Sequence, residues 1–140
     1  SKIVFKSGAL KTLVKAMMKK ESVSLIIDQN TNSKDGKEVE FLGKRAYQTS
    51  SSALLARKFG AYIVPIALFN QDDYKYKIKV YEPIIPIKTD NEIEDLKHIS
   101  QLEANAISDI ILEDKKQWFW PHKRFKSHYR EIYEKNPNNK

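Results

Sequence analysis

A short apolar run, Val23-Ser24-Leu25-Ile26-Ile27, ends in Asp28-Gln29, and no other stretch of the chain limits the possible folds as sharply. It is rich in β-branched residues, a helix-patterned segment precedes it, and polar Asn30, Thr31, Asn32 and Ser33 follow. This pattern predicts a buried strand whose carboxyl end hands an acid and an amide to a loop. Ligands of α/β proteins gather at the carboxyl ends of strands, which makes Asp28 and Gln29 site candidates. The blander role for Asp28 is to turn the chain and cap the loop.

The flanking segments extend the alternation of helix and strand. Residues 7–20 predict a helix with Ser7 as N-cap and Leu10, Leu13, Val14 and Met17 on one face. Lys11, Lys15 and Lys19 form a second stripe, suited either to solvent or to an anionic membrane. Asp35-Gly36 signals a turn, and residues 39–41 a short strand or extended lip ending at Leu42-Gly43. Thr49 and serines 50–52 lead into a short helix over residues 50–59, closed by Gly60. Residues 61–70 predict a second buried strand, with Pro65 at a bulge or edge and Gln71-Asp72-Asp73 as the turn after it.

Beyond that turn, Tyr74, Tyr76, Ile78 and Val80 alternate with Lys75, Lys77, Lys79 and Tyr81, as in the second strand of an antiparallel hairpin at a sheet edge. Lysines in that position discourage further strand pairing. After Pro83 and Pro86, residues 91–114 predict a helix with Ile99, Leu102, Ala106 and Ile110 on one stripe and Ile107 and Ile111 beside it. A last short helix is expected over residues 128–135 and a frayed tail over 136–140. The fold class is therefore α/β, in one domain of 140 residues. A small mixed β-sheet of the 23–28, 61–69 and 74–82 strands carries helices packed on it in three layers.

Composition narrows the function. The absence of cysteine removes disulfides, thiolate metal sites and cysteine nucleophiles, and no metal site is expected. No apolar run approaches the ~20 residues of a membrane-spanning helix. A net charge of +7 asks for an anionic partner: nucleic acid, an anionic membrane, or an acidic carrier or phosphorylated substrate. Residues 88–114 are mostly acidic, whereas residues 115–130 hold Lys115, Lys116, Lys123, Arg124, Lys126 and Arg130 with no carboxylate. Within that basic stretch lies Gln117-Trp118-Phe119-Trp120-Pro121-His122-Lys123-Arg124-Phe125-Lys126. Its tryptophans suit a core plug with the cations facing water; Arg124 and His122 suit either phosphate recognition or structure. A small basic nucleic-acid-binding or interaction module stacking bases on Trp118 and Trp120 is the alternative reading, although no nucleic-acid-binding motif accompanies them.

One spacing misleads. His98 and Glu103 spell His-x4-Glu, a pairing that acyltransferases use, but side chains five apart on a helix point about 140° apart. The match is read as coincidence.

The order Asp28-Gln29, Phe41-Leu42-Gly43, Ala46, Thr49, Leu55-Ala56, Val64-Pro65 and the box from Gln117 to Lys126 resembles the lauroyl/myristoyl acyltransferases of bacterial lipid A biosynthesis. These belong to the lysophospholipid-acyltransferase-like superfamily. The resemblance implies a partial acyltransferase-like α/β fold and transfer of a fatty acyl chain from acyl carrier protein to an anionic glycolipid precursor. It places the work at the cytoplasmic face of the bacterial inner membrane, with no cofactor and no nucleic acid. The family's His-x4-Asp/Glu dyad lies upstream of the Asp-Gln motif, where this sequence has no histidine, so no catalytic residue is expected in this chain. By the same resemblance the substrate-binding candidates are Asp28, Gln29, Gly43, Thr49, Trp120, His122, Arg124 and Lys126. Leu42 stands where the family usually has a second Phe.

Overall fold

The computed structural model describes residues 9–71 and 74–134. The chain runs as α1 (Ala9–Met18), β1 (Gly36–Phe41), β2 (Lys44–Thr49), α2 (Ser51–Phe59), β3 (Ile66–Gln71), β4 (Lys75–Val80) and α3 (Glu92–Glu113), with a 3-10 turn at Arg130–Tyr133. This is a small mixed α/β domain, as the alternation of patterns implied. The expected Ser7 cap, the Asp72-Asp73 turn and the 136–140 tail lie outside the described residues.

The first hairpin is tight. Leu42 and Gly43 both have positive φ, 50° and 73°, so they form the two-residue turn that matches the twist of paired strands. Glycine enters that region without strain, while Leu42 is held there by its N–H to Ser108 Oγ (3.2 Å) and by packing against the core. Val39 pairs with Ala46, and Phe41 with Lys44. The period of two then turns Val39, Phe41, Ala46 and Gln48 inward under α3. Phe41, Ala46, Val39, Ala104 and Ile111 make the larger core cluster, with Trp118 and Phe125 packed against it. Burying a ring such as Phe41 stabilises by roughly 1.5–3 kcal/mol. A second cluster, Ala53, Leu96 and Ile99, joins α2 to α3.

That joint carries a polar knot. Arg57 donates to Asp95 Oδ2 at 2.7 Å, to Glu92 Oε2 at 3.1 Å and to the Thr89 carbonyl at 2.7 Å, while Thr89 N–H and Oγ1 both donate to Asp95. Asp95 is buried, and the three donors that reach it, Arg57 Nε and the Thr89 N–H and Oγ1, make that tolerable. Asn91 caps α3 by accepting from Glu94 N–H, and Gly60 closes α2 as expected.

Four expectations need correction. Residues 23–28 form no strand, so the single three-stranded sheet is replaced by two separate antiparallel hairpins, β1–β2 and β3–β4. One carbonyl of that run is met by a side chain: Gln48 Nε2 donates to Ile27 O at 3.0 Å. Residues 39–41 are the strand of the two readings, within Gly36–Phe41, whereas the run 61–70 expected as a second buried strand pairs as a strand only over Ile66–Gln71 and has no buried residue there. The buried stripe of α3 runs through Leu96, Ile99, Ser100, Glu103, Ala104, Ser108 and Ile111, displaced from the all-apolar stripe because polar Ser100, Glu103 and Ser108 share the buried face. Among the described residues, only the turn Arg130–Tyr133 forms within the expected last helix. The β3–β4 hairpin itself forms in the expected region, Ile66 opposite Val80 and Leu68 opposite Ile78.

Candidate functional site at the Asp-Gln loop

Three parts of the chain converge on one point: the loop after residue 27, the far end of β2, and the basic aromatic box. Arg124 is their hub. It has no exposed surface, and its guanidinium lies 4.5 Å from the centre of the Phe41 ring. Nη1 donates to Gln29 O at 3.0 Å and to Tyr47 O, and Nη2 to Gln48 Oε1 at 2.6 Å. Burial pulls its pKa down to about 10, partly offset by the nearby Asp28 charge, so it stays cationic at neutral pH.

Neighbouring residues of the box repeat the same job. Trp118 Nε1 donates to Asp28 Oδ2 at 3.3 Å. His122 Nε2 accepts from Asn30 N–H at 2.6 Å. Ser127 Oγ lies 3.0 Å from Thr31 O and 3.2 Å from Asn30 Oδ1. Across the loop, Gly36 makes room, since a Cβ there would sit 2.5 Å from both Gln48 O and Thr31 Cγ2. The box thus clamps the Asp-Gln loop to β2. One carboxylate oxygen, Asp28 Oδ1, is buried there with no hydrogen-bond partner among the described residues.

Of the residues singled out from sequence, the structure gathers Asp28, Gln29, His122 and Arg124, with Thr49 at the adjoining end of β2. Thr49 Oγ1 sits 3.5 Å from the Ser51 N–H at the start of α2. Gln29 and Lys126 are exposed beside the clamp. Gly43 stands at the opposite end of the hairpin, roughly 15–20 Å along the strand, and its part is the turn. Trp120 is half exposed, turns its Nε1 back to Lys115 O at 2.6 Å, and packs edge-on against Trp118 at 4.6 Å.

Two readings of the box are therefore corrected. Trp118 plugs the core but Trp120 does not, and Arg124 is an internal strut without surface for a phosphate. Trp118 is packed against the core and meets Trp120 edge-on, so the two rings form no parallel platform for stacked bases.

His98 is exposed on α3 while Glu103 is buried, so that His-x4-Glu pair does diverge. A different histidine–carboxylate pair is present: His128 Nε2 lies 2.6 Å from Glu38 Oε2, across the β1–β2 face. Sequence spacing could not suggest it, since 90 positions separate the two. Its Nδ1 is buried and has no partner among the described residues, and the ring packs against Tyr47 at 4.7 Å. With its outer nitrogen closed off, the ring is placed as a latch and not as a base open to substrate. Gln48 was also missed, although the alternation that turns Ala46 inward carries Gln48 with it. Among the described residues, no group of His, Asp or Glu is arranged to hold a metal ion.

Comparison with curated proteins finds none that matches the chain. A model of the family described as bacterial lipid A biosynthesis acyltransferase matches residues 1–127, which takes in the Asp-Gln loop, both hairpins, α3 and the box through Ser127. With that match spanning nearly the whole sequence, the chain belongs to the bacterial lipid A biosynthesis acyltransferase family.

Proposed function

We propose that the chain forms the acceptor-side part of an enzyme that moves a fatty acyl group from acyl carrier protein to a hydroxyl of an anionic lipid A precursor, at the cytoplasmic face of the inner membrane. The observation that carries this reading is the clamp. The Asp-Gln motif and the C-terminal box lie about 90 residues apart in the chain, yet Arg124, Trp118 and His122 hold Gln29, Asp28 and Asn30 directly. Such coupling keeps Asp28 and Gln29 in one conformation, which is what a site must do to position a hydroxyl. Exposed Lys123 and Lys126 flank the clamp and suit the phosphates of the acceptor. Family membership supports acyl transfer as the reaction class. No helix among the described residues is long and apolar enough to cross a membrane, which agrees with peripheral attachment of this part.

The base in this reading is a histidine of a His-x4-Asp/Glu pair supplied by polypeptide upstream of Asp28 and outside this sequence. The 140-residue chain alone is accordingly expected to transfer no acyl group. Incubation with acyl carrier protein thioester and a lipid A precursor should give product at background level. Transfer above background that disappears in His128→Ala or in His98→Ala would place the base inside this chain and refute the assignment.

A further inference from the structure

A polar seam divides the two core clusters. Along α3 the buried face passes from Ile99, in the cluster shared with α2, to Ala104, in the cluster under β1–β2. Between them stand Ser100 and Glu103, one turn apart on the same face and 0% and 1% exposed. Ser52, from the first turn of α2 and next to Ala53 of the smaller cluster, lies beside the Glu103 carboxyl. Neither Glu103 oxygen and neither serine hydroxyl completes a hydrogen bond among the described residues. All four atoms are closed off by this chain itself, so polypeptide from elsewhere cannot reach the carboxyl while α2 stays in place.

Among the described residues, no countercharge faces it. On α3, Lys97 and His98 are exposed and Asp95 is held by Arg57. On α2, Arg57 is spent on Asp95 and Glu92 near the far end of the helix, and Lys58 is exposed. From β1–β2, Val39, Phe41, Ala46 and Gln48 turn inward without charge. Lys37, on the same face at the end of β1, is half-buried and gives Glu103 no hydrogen bond. Arg124 is occupied by Gln48 and two carbonyls, and α1, packed on α2, keeps Lys11 and Lys15 exposed. A carboxyl so placed is tolerated as the neutral acid and costly as the carboxylate, since no charge or hydrogen bond offsets the lost hydration. Burial pushes it up to about 7, so it changes charge near neutral pH.

The first turn of α2 is the part of the seam free to give way. It follows directly from β2, and no side chain caps it. Ser50 N–H and Oγ both donate to Asp35 O, at 3.2 and 3.1 Å, beside Gly36 and the Thr31 side chain of the clamped loop. Leu54 N–H closes the turn on Ser50 O at 2.9 Å. We propose that the Ser52–Ser100–Glu103 seam is a proton-operated switch. Neutral Glu103 keeps the first turn of α2 seated on α3; ionisation of Glu103 releases that turn, and with it the tie between Ser50 and Asp35 at the edge of the Asp-Gln loop. Because the carboxyl is raised in the folded state, seating is complete below about pH 4.5 and is lost as pH rises through about 7. The switch is read from α2 and α3 and stands whether or not the chain takes part in acyl transfer.

The test is amide exchange, followed by NMR on the whole 140-residue chain at pH 6 and pH 8 and expressed as protection so that the intrinsic pH dependence drops out. Ser50 and Leu54 should exchange at least about tenfold faster than the most protected paired amides of β1 and β2, as a local opening does. Their protection should fall about tenfold from pH 6 to pH 8. In Glu103→Gln, which cannot ionise, protection should stay constant over that range. Because this variant can fail to fold, Ser52→Ala gives a second reading. The Ser52 hydroxyl draws the carboxyl down, so its removal should move the fall in protection to higher pH. Protection at Ser50 and Leu54 equal to that of the strands overturns the proposal, since Glu103 would then ionise only on global unfolding. So does pH-independent protection in the wild type, the same fall in Glu103→Gln, or an unmoved fall in Ser52→Ala.

Discussion

Removing a guanidinium with no exposed surface leaves behind every acceptor it served, and at Arg124 these are Gln29 O, Tyr47 O and Gln48 Oε1. Arg124→Ala should destabilise the chain by roughly 3 kcal/mol or more, as unpaired buried acceptors and a cavity add together. Arg124→Lys should recover little, because one ammonium cannot span a fork that reaches three acceptors. Trp120→Ala, at a half-exposed ring, should cost only about 1–2 kcal/mol. Urea denaturation of the three variants checks this ordering; a loss within 0.5 kcal/mol for Arg124→Ala would return that residue to the surface. Glu103 makes the opposite case, a buried charge with no counterpart. Burial raises its carboxyl from the ordinary 4.5 to about 7, and Ser52 beside it draws the value down only in part. The folded state thus holds a proton that the unfolded chain gives up. This contribution to stability is complete below about pH 4.5 and is lost as pH rises through about 7, a change on the order of 3 kcal/mol. Glu103→Gln should melt close to the wild type near pH 4.5 and roughly 10 °C above it at pH 8. A constant difference across that range would show that Glu103 does not titrate there.

At the scale of elements, Gly36 shows how the site depends on close approach between segments. A methyl group there would meet the Gln48 carbonyl and the Thr31 side chain at 2.5 Å, and the carbonyl belongs to a paired strand that cannot swing aside. Gly36→Ala should therefore cost roughly 1–3 kcal/mol and loosen the 27–31 loop. Faster amide exchange at Asn30, whose N–H is held by His122, is the specific readout; unchanged exchange there would uncouple β1 from the loop. Sequence alone marked Gly36 only as half of a turn signal, and the reason generalises. Local rules found α2 with its Gly60 cap, the long α3 and the β3–β4 hairpin, since each is written in the spacing of near neighbours. The Asp-Gln loop and the box were both visible as motifs, and family order joined them. Their physical coupling was hidden because Arg124 and Gln29 are 95 positions apart and a buried arginine reads in sequence like a surface one. Residues 23–28 misled for a related reason: an apolar β-branched run specifies an extended backbone, but the partner that completes a ladder is not encoded in the run itself.

For the whole molecule, charge and apolar surface point in different directions. The exposed apolar face belongs to β3–β4, whereas Lys123 and Lys126 stand exposed beside the clamp, among buried Arg124 and half-buried His122 and Phe125. An anionic glycolipid in an anionic membrane would meet this second surface through long-range attraction, at about 1 kcal/mol for each cation near the headgroups. Replacing both Lys123 and Lys126 by Ala should then weaken co-sedimentation with phosphatidylglycerol vesicles by roughly 10- to 30-fold at low salt. The difference should shrink as ionic strength rises toward 0.15 M, where the screening length falls to about 8 Å. Exposed lysines contribute little to folding, so the melting temperature should stay within about 2 °C of the wild type. That separation between binding and stability is the discriminating result, because Arg124→Ala should lower both through loss of the fold. Vesicle binding that survives the double lysine change at low salt would move the membrane contact away from the clamp. The phosphates of the acceptor would then need a different set of cations, with the Lys11, Lys15 and Lys19 stripe of residues 7–20 as the next surface to test.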